Sequence, residues 1–72
     1  MDVETMEGYL EQAACPEPVR AQVEQLVSNG HGAEGLPLLA GHRARLLGEL
    51  HEVDRRLMCL DRVIADISAA SR

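Results

Sequence analysis

Aromatic residues are almost absent from this chain of 72 residues: Tyr9 is the only one, and there is no Phe and no Trp. The apolar part, 46% of the sequence, is therefore almost entirely aliphatic, which is typical of thin helix-on-helix cores. Without rings on which bases could stack, binding of single-stranded nucleic acid is not expected. We expect an all-α fold.

Long apolar runs and paired cysteines are missing as well. No segment approaches the ~20 apolar residues that a membrane span needs, and acids stand near the N-terminus where a signal peptide is basic. Cys15 and Cys59 are the only cysteines, and their spacing is not that of a secreted disulfide framework. We therefore expect a cytoplasmic chain with no membrane segment.

Lysine is also absent, and the net charge of −5 is unevenly distributed. Residues 1–35 contain seven acids and a single base, Arg20, whereas residues 36–72 contain six arginines and five acids. Binding of duplex DNA needs a concentrated basic patch, so we expect no direct contact of this chain alone with nucleic acid. The acidic half could instead neutralise the other half, within one chain or across a dimer.

No motif predicts catalysis, a cofactor or a metal site. The acids are spread over solvent-facing helix positions, and the glycine-rich residues 31–35 follow no strand, so neither acid–base catalysis nor a phosphate loop is expected. His42 and His51 are nine residues apart and point to opposite sides of one helix, so they cannot share a zinc ion. His42 could make association of two copies mildly pH-sensitive, but we expect it to be solvated. A redox pair of Cys15 and Cys59 would require the first turn segment to lie over the middle of the long helix.

Three helices are predicted from apolar periodicity and from their end signals. Asp2 is suited to cap the first helix, Pro18 to occupy the first turn of the second, and Gly30 to take the left-handed conformation after it. A chain of this length buries only ~60% of its unfolded surface, so it usually needs a partner. The predicted elements of the single helical domain, residues 1–72, are short helices at about 3–14 and 18–28, a loop at 31–35 and a long helix at about 36–70.

A strict seven-residue repeat runs through the long helix. Its two series are Leu36, Arg43, Leu50, Leu57 and Ile64 at position a, and Leu39, Leu46, Val53, Leu60 and Ile67 at position d. This a/d pattern predicts a coiled-coil helix. On the opposite face, Gly41 and Gly48 are either tolerated solvent positions or the place where another helix comes close to the backbone.

The charged residues of the repeat favour an antiparallel homodimer. In a parallel dimer Arg43 would face its own copy, and Glu49 would face Asp54 of the second copy, so like charges would meet. An antiparallel dimer with Leu50 opposite Val53 places Arg43 beside Leu60 and Glu49 near Arg56. Such pairs determine the orientation of the helices more than they add to the affinity of the dimer, since each is worth only ~0.2–1 kcal/mol. The predicted interface consists of Leu36, Leu39, Arg43, Leu46, Glu49, Leu50, Val53, Arg56, Leu57, Leu60, Ile64 and Ile67.

The remaining arrangement is intramolecular. The two short helices could themselves occupy the apolar repeat and form a monomeric three-helix bundle, although they offer fewer large side chains than ten heptad positions require.

The long helix resembles the C-terminal part of MerR-type transcriptional regulators. In that family an "LL-x-x-HR-x-x-L" opening, an "E-(V/L)" centre and an "LD-x-x-I" close lie on the helix that forms an antiparallel coiled coil between two subunits. Met6, Tyr9-Leu10 and the glycine-containing loop resemble the short helices before it. The matching residues are Leu38-Leu39-Ala40-Gly41-His42-Arg43-Ala44-Arg45-Leu46, Leu50, Glu52, Leu57, Leu60-Asp61-Arg62 and Ile64-Ala65.

The resemblance implies a dimerisation role, and with it a dimerisation or effector-response module of a MerR-like regulator or a stand-alone relative. The winged helix-turn-helix of that family has no counterpart here, so DNA binding is left to another chain or domain. The cysteines that bind metal in the family's sensors are not matched by Cys59, which is mid-helix. The alternative is an acidic adaptor or anti-regulator that binds another protein, such as a transcription factor, through the same helix face. Neither hypothesis names a small-molecule ligand.

Overall fold

The structure, a computed structural model, describes residues 1–71. Over these residues the chain is helical and has no strand, which confirms the all-α class with two short helices before one long helix. The long helix dominates the shape, which measures 65 × 20 × 17 Å. None of the described helices has an apolar segment long enough to cross a membrane. The elements are α1, Val3–Gln12; α2, Glu17–Ser28; a 3-10 turn, Gly32–Gly35; and α3, Leu36–Ala70.

Helix α1 begins as the sequence predicts. The Thr5 amide donates to Asp2 Oδ1 at 2.7 Å, so Asp2 is the N-cap. This hydrogen bond satisfies one of the amide groups that a helix start leaves without a partner. Because the bond favours the ionised carboxylate, it holds the pKa of Asp2 below its ordinary value.

The end of α1 differs from the prediction. The helix ends at Gln12 rather than near residue 14, because a Schellman motif stops it. In this motif the Cys15 amide donates to the Leu10 carbonyl at 3.1 Å and the Ala14 amide to the Glu11 carbonyl at 3.0 Å. Ala14 has a φ of +54°, a left-handed conformation that costs a residue with a Cβ about 1–2 kcal/mol.

Helix α2 ends with the same motif, built on glycine. Gly30 has a φ of +78°, as predicted, and the His31 amide donates to the Leu26 carbonyl at 2.7 Å. The helix begins at Glu17, one residue earlier than predicted, so Pro18 lies within its first turn. Proline is tolerated there because the first-turn amide groups have no partner in the helix.

Residues 32–35 form a 3-10 turn, so the prediction of a loop over residues 31–35 is wrong. The Glu34 amide donates to the His31 carbonyl at 3.0 Å, and the two side chains form an exposed contact of 2.9 Å. Gly35 is buried, and a Cβ added to it would lie 3.5 Å from a Val23 methyl. An added Cβ would therefore make only ordinary van der Waals contacts, so the packing of α2 against the start of α3 does not itself require glycine here.

The core lies at one end of the molecule. Leu10, Cys15 and Val23 are its buried residues. No residue of α3 is buried, and only its first two turns take part in the packing. The half-buried residues around the core are Met6, Val19, Val27, Leu38 and Leu39. The short-helix pair, α1 and α2, thus covers the beginning of α3 and leaves the rest of that helix without an intramolecular neighbour.

Candidate functional site

The most prominent surface of the molecule is an apolar stripe along α3, here called the seam. Nine of its ten residues are exposed, and Leu39 is half-buried. Among its exposed apolar members the exposed fractions run from 37% at Leu46 to 62% at Leu36 and Ile67. Leu47 and Val63, beside the stripe, are exposed as well. The seam consists of Leu36, Leu39, Arg43, Leu46, Leu50, Val53, Leu57, Leu60, Ile64 and Ile67.

The short-helix pair does not fill the seam. On α3 it packs against Leu38 and Leu39, and one further contact comes from His42. From Arg43 to the end of the described chain every α3 residue is exposed except Glu52, which is half-buried. The arrangement in which the short helices occupy the apolar repeat as a three-helix bundle is therefore wrong for a single copy.

His42 connects α3 to the turn between the short helices. Its Nε2 lies 2.9 Å from the carbonyl oxygen of Ala13, the residue that caps the end of α1. A carbonyl only accepts, so Nε2 carries the proton and donates. In the neutral ring Nδ1 is then an acceptor, and it is buried without a hydrogen-bond partner in the described structure. The expectation of a solvated His42 is therefore wrong: the ring is half-buried and holds the turn in place.

The charges of α3 divide into paired and unpaired groups. Within the helix, Arg55 contacts Glu52 at 2.6 Å, Arg56 contacts the same carboxylate at 3.6 Å, and Arg62 contacts Asp66 at 3.8 Å. All of these groups are substantially exposed, so the pairs contribute little to stability. Over residues 1–71, the charged α3 residues without an ion pair are Arg43, Arg45, Glu49, Asp54 and Asp61.

The predicted site residues lie on one side of α3. Glu49 and Arg56 flank the seam at position g, and both are exposed. A single copy brings Arg56 to Glu52 rather than to Glu49. On the far face, Gly41 and Gly48 have no atom within 4 Å of an added Cβ, so in one copy both are open solvent positions.

The two cysteines lie in contrasting environments. Cys15 is buried at 6% exposure beside Leu10 and Val23, whereas Cys59 is exposed on α3; both are free thiols. The turn that carries Cys15 packs at the start of α3 and not over its middle, so the geometry required for a Cys15–Cys59 pair is absent. Among residues 1–71, no three His, Cys, Asp or Glu side chains converge in a way that could hold a metal ion.

A polar groove between the short helices was not predicted from the sequence. The only feature of the sequence that pointed to this groove is the repeat of acids at helical spacing along each short helix. That the two acidic faces meet depends on how the helices pack. The groove is lined by Glu7, Glu11, Glu17, Arg20, Ala21 and Glu24.

Models of known protein families, curated proteins and solved structures give no match to this chain. The likeness to MerR-type regulators therefore depends on the residues quoted above. The site that the geometry offers is the seam: a long, exposed, apolar helix face with few charges in it.

Proposed function

We propose that the chain is a cytoplasmic dimerisation and effector-response module of a MerR-like transcriptional regulator, or a stand-alone relative of one. In this role two copies pair through the seam in an antiparallel coiled coil. The single observation that carries the proposal is the exposure of the seam along α3, at the regular spacing that a coiled coil requires.

The exposed apolar surface is large enough to support association. Each copy exposes eight apolar seam residues. Covering the open half of such a side chain contributes on the order of 1 kcal/mol, and association opposes this with ~4–15 kcal/mol. Eight residues from each copy are enough to exceed the lower part of that range. They are Leu36, Leu46, Leu50, Val53, Leu57, Leu60, Ile64 and Ile67.

A second copy fits the seam because the repeat is complementary to itself. With Leu50 opposite Val53, every a residue meets a d residue of the other copy, from Leu36 beside Ile67 to the symmetry-related end. Glu49 then lies near Arg56 twice, once on each side of the two-fold axis. Arg56 has only a 3.6 Å contact within its own helix, and Glu49 has no ion pair there over the described residues, so both are free to form these pairs.

The short-helix pair would add to the same interface. It contacts α3 through Leu38, Leu39 and His42, at heptad positions c, d and g, and therefore lies on the g side of the helix. In an antiparallel coiled coil the g sides of both helices face the same way. The second copy would then bring Val63, an exposed apolar residue at g, next to the short-helix pair. The space between them is the position that we assign to an effector.

The test is a fusion of the whole chain to a monomeric DNA-binding domain whose operator has two half-sites. Dimerisation through the seam should raise operator occupancy, because two linked domains bind the operator more tightly than one. Leu50→Glu would place two carboxylates in the centre of the dry seam, and we expect it to remove the increase.

His51→Glu is the matched control, because it adds the same charge at the neighbouring, exposed position on the outer face. It should leave operator occupancy within about twofold of the unmodified chain, since surface substitutions outside the interface have small effects. Unchanged occupancy with Leu50→Glu, or equal loss with both variants, contradicts the proposal. A fusion that dimerises only in the presence of a different protein would instead support the adaptor alternative.

A further inference from the structure

We infer that Arg43, the one charged residue in the seam, forms an ion pair with Asp61 of a second copy, and that the two symmetry-related pairs act together with the Glu49–Arg56 pairs to set the register of the coiled coil. The inference rests on the proposed homodimer and adds to it the residues that determine specificity. A polar residue at an a position is a known means of fixing register and partner at some expense of stability.

Both groups lack a possible partner on their own helix. Side chains on a helix meet those three and four residues away. For Arg43 these neighbours are Leu39, Ala40, Leu46 and Leu47, none of them acidic.

The neighbours of Asp61 at the same spacing are Leu57, Met58, Ile64 and Ala65, none of them basic. Neither Arg43 nor Asp61 has an ion pair in the described structure, and both are exposed. Over residues 1–71, each copy thus presents a cation and an anion that form no ion pair within that copy.

The antiparallel register brings these two groups together. With Leu50 opposite Val53, Arg43 is level with Leu60 of the second copy, and Asp61 follows about 1.5 Å further along the axis. Position a lies on the e side of the seam, and the e sides of two antiparallel helices face the same way. Asp61, at position e, therefore stands on the side toward which Arg43 extends. The nearest residue at position e of the other helix is Ala40, which is small enough to leave room for the guanidinium.

Shifting the register by one heptad in either direction separates Arg43 from Asp61 of the second copy. A shift in one direction sets Glu49 against its own copy and brings Asp54, rather than Asp61, to Arg43. A shift in the other direction sets Arg56 against Arg56 and Asp54 against Asp54. Like charges across the seam are unfavourable in either case. Only the register with Arg43 beside Asp61 leaves all of these close contacts without repulsion.

Asp54 supplies a matched control for the test. Like Asp61 it is an exposed aspartate at position e without an ion pair in the described residues. The dissociation constant of the full chain is measured by sedimentation equilibrium at low salt for Asp61→Asn and Asp54→Asn. Loss of two partly exposed ion pairs should raise the constant about two- to tenfold for Asp61→Asn and leave it unchanged for Asp54→Asn.

The register itself is read from a spin label on Cys59, since Cys15 is buried and Cys59 is exposed. The separation of the two labels along the axis is about 22 Å in the proposed register, about 33 or 12 Å after a shift by one heptad, and near zero in a parallel dimer. We expect the first value for the unmodified chain and for Asp54→Asn.

Arg43→Leu separates register from affinity. It removes the charge from the seam, so the dimer should become tighter, about tenfold or more. Only the Glu49, Arg56 and Asp54 contacts then oppose a shift, so label distances of a shifted register should gain population beside the distance of the proposed one.

Three results would overturn the inference: label distances for Arg43→Leu distributed as in the unmodified chain, equal dissociation constants for the two asparagine variants, or a larger effect at Asp54. A chain that stays monomeric without substitution refutes the proposed homodimer, whereas a dimer indifferent to Asp61 refutes this inference alone.

Discussion

The two parts of the molecule, residues 1–42 and residues 43–71, follow the same rules of helix formation but differ in what covers them. Val23, in the short-helix pair, is 2% exposed, whereas Val53, in the middle of α3, is 49% exposed. The first part finds its contacts inside one copy. The second part is at least as apolar and finds none within one copy, which is the reason for proposing that a second copy covers it. Burial, rather than hydrophobicity, therefore distinguishes the structural core from the proposed interaction surface.

The largest effect should come from placing a charge at each of these valines. Val23→Asp buries a carboxylate without a partner and should destabilise the short-helix pair by about 3 kcal/mol or more. Cys15, its neighbour in the core, should then react with a thiol reagent as fast as Cys59.

Val53→Asp is the matched variant. It should leave Cys15 protected and instead raise the dissociation constant of the dimer at least about a hundredfold, because it charges the centre of the seam. If both substitutions expose Cys15 to the same extent, Val53 supports the core as much as Val23 does. That result would contradict the assignment of Val23 to the core and Val53 to the dimer interface.

His42 lies at the boundary between residues 1–42 and residues 43–71. Its substitution should destabilise the packing of the short-helix pair without unfolding the rest of α3. His42→Ala removes the hydrogen bond to the Ala13 carbonyl, which is worth about 0.5–1.5 kcal/mol. The reaction rate of Cys15 should rise up to about tenfold. His51→Ala, at an exposed position of the same helix, serves as the control and should leave the rate unchanged. Equal rates for the two variants would show that the hydrogen bond contributes nothing.

The two Schellman motifs predict changes of opposite sign. Ala14→Gly relieves a left-handed alanine and should stabilise the short-helix pair by up to about 1 kcal/mol, whereas Gly30→Ala should destabilise it by about 1 kcal/mol. Nothing lies within 4 Å of a Cβ at Gly30, so the second effect is conformational and not steric. Denaturant unfolding measures both changes. Ala44→Gly, in the free part of α3, should destabilise its helix, because there the alanine is helical.

The smallest effect concerns the cap of α1. The pKa of Asp2 is lower in the folded chain than in the unfolded chain. The ionised Asp2 cap therefore stabilises the fold at pH values above the unfolded-state pKa, and this contribution is lost as the pH falls through the folded-state pKa. An NMR titration should therefore show the Thr5 amide shift changing in the acid range. Asp2→Asn keeps a capping oxygen and should remove this pH dependence. A Thr5 amide that titrates in the asparagine variant would point to another group.

Local features of the fold were predictable from the sequence because they depend on neighbouring residues. The cap at Asp2, the left-handed Gly30 and the continuous α3 follow from side-chain chemistry within a few positions. The apolar repeat likewise identified the seam, since its spacing is a property of one helix.

Features that depend on packing were not predictable. Alanine gives no sign of a left-handed conformation, so the end of α1 at Gln12 was missed. The 3-10 turn forms where the buried Gly35 meets Val23, a contact between residues twelve apart in sequence. The hydrogen bond from His42 to Ala13 joins two parts of the chain whose approach no local pattern encodes.

The mass of the unmodified chain in solution decides whether a second copy covers the seam. Sedimentation equilibrium over a concentration series should give twice the 7.9 kDa of one chain at tens of micromolar and a fall toward the single-chain mass on dilution. A mass of 7.9 kDa at every concentration would rule out the homodimer, because the seam would then remain uncovered or be reserved for a different protein.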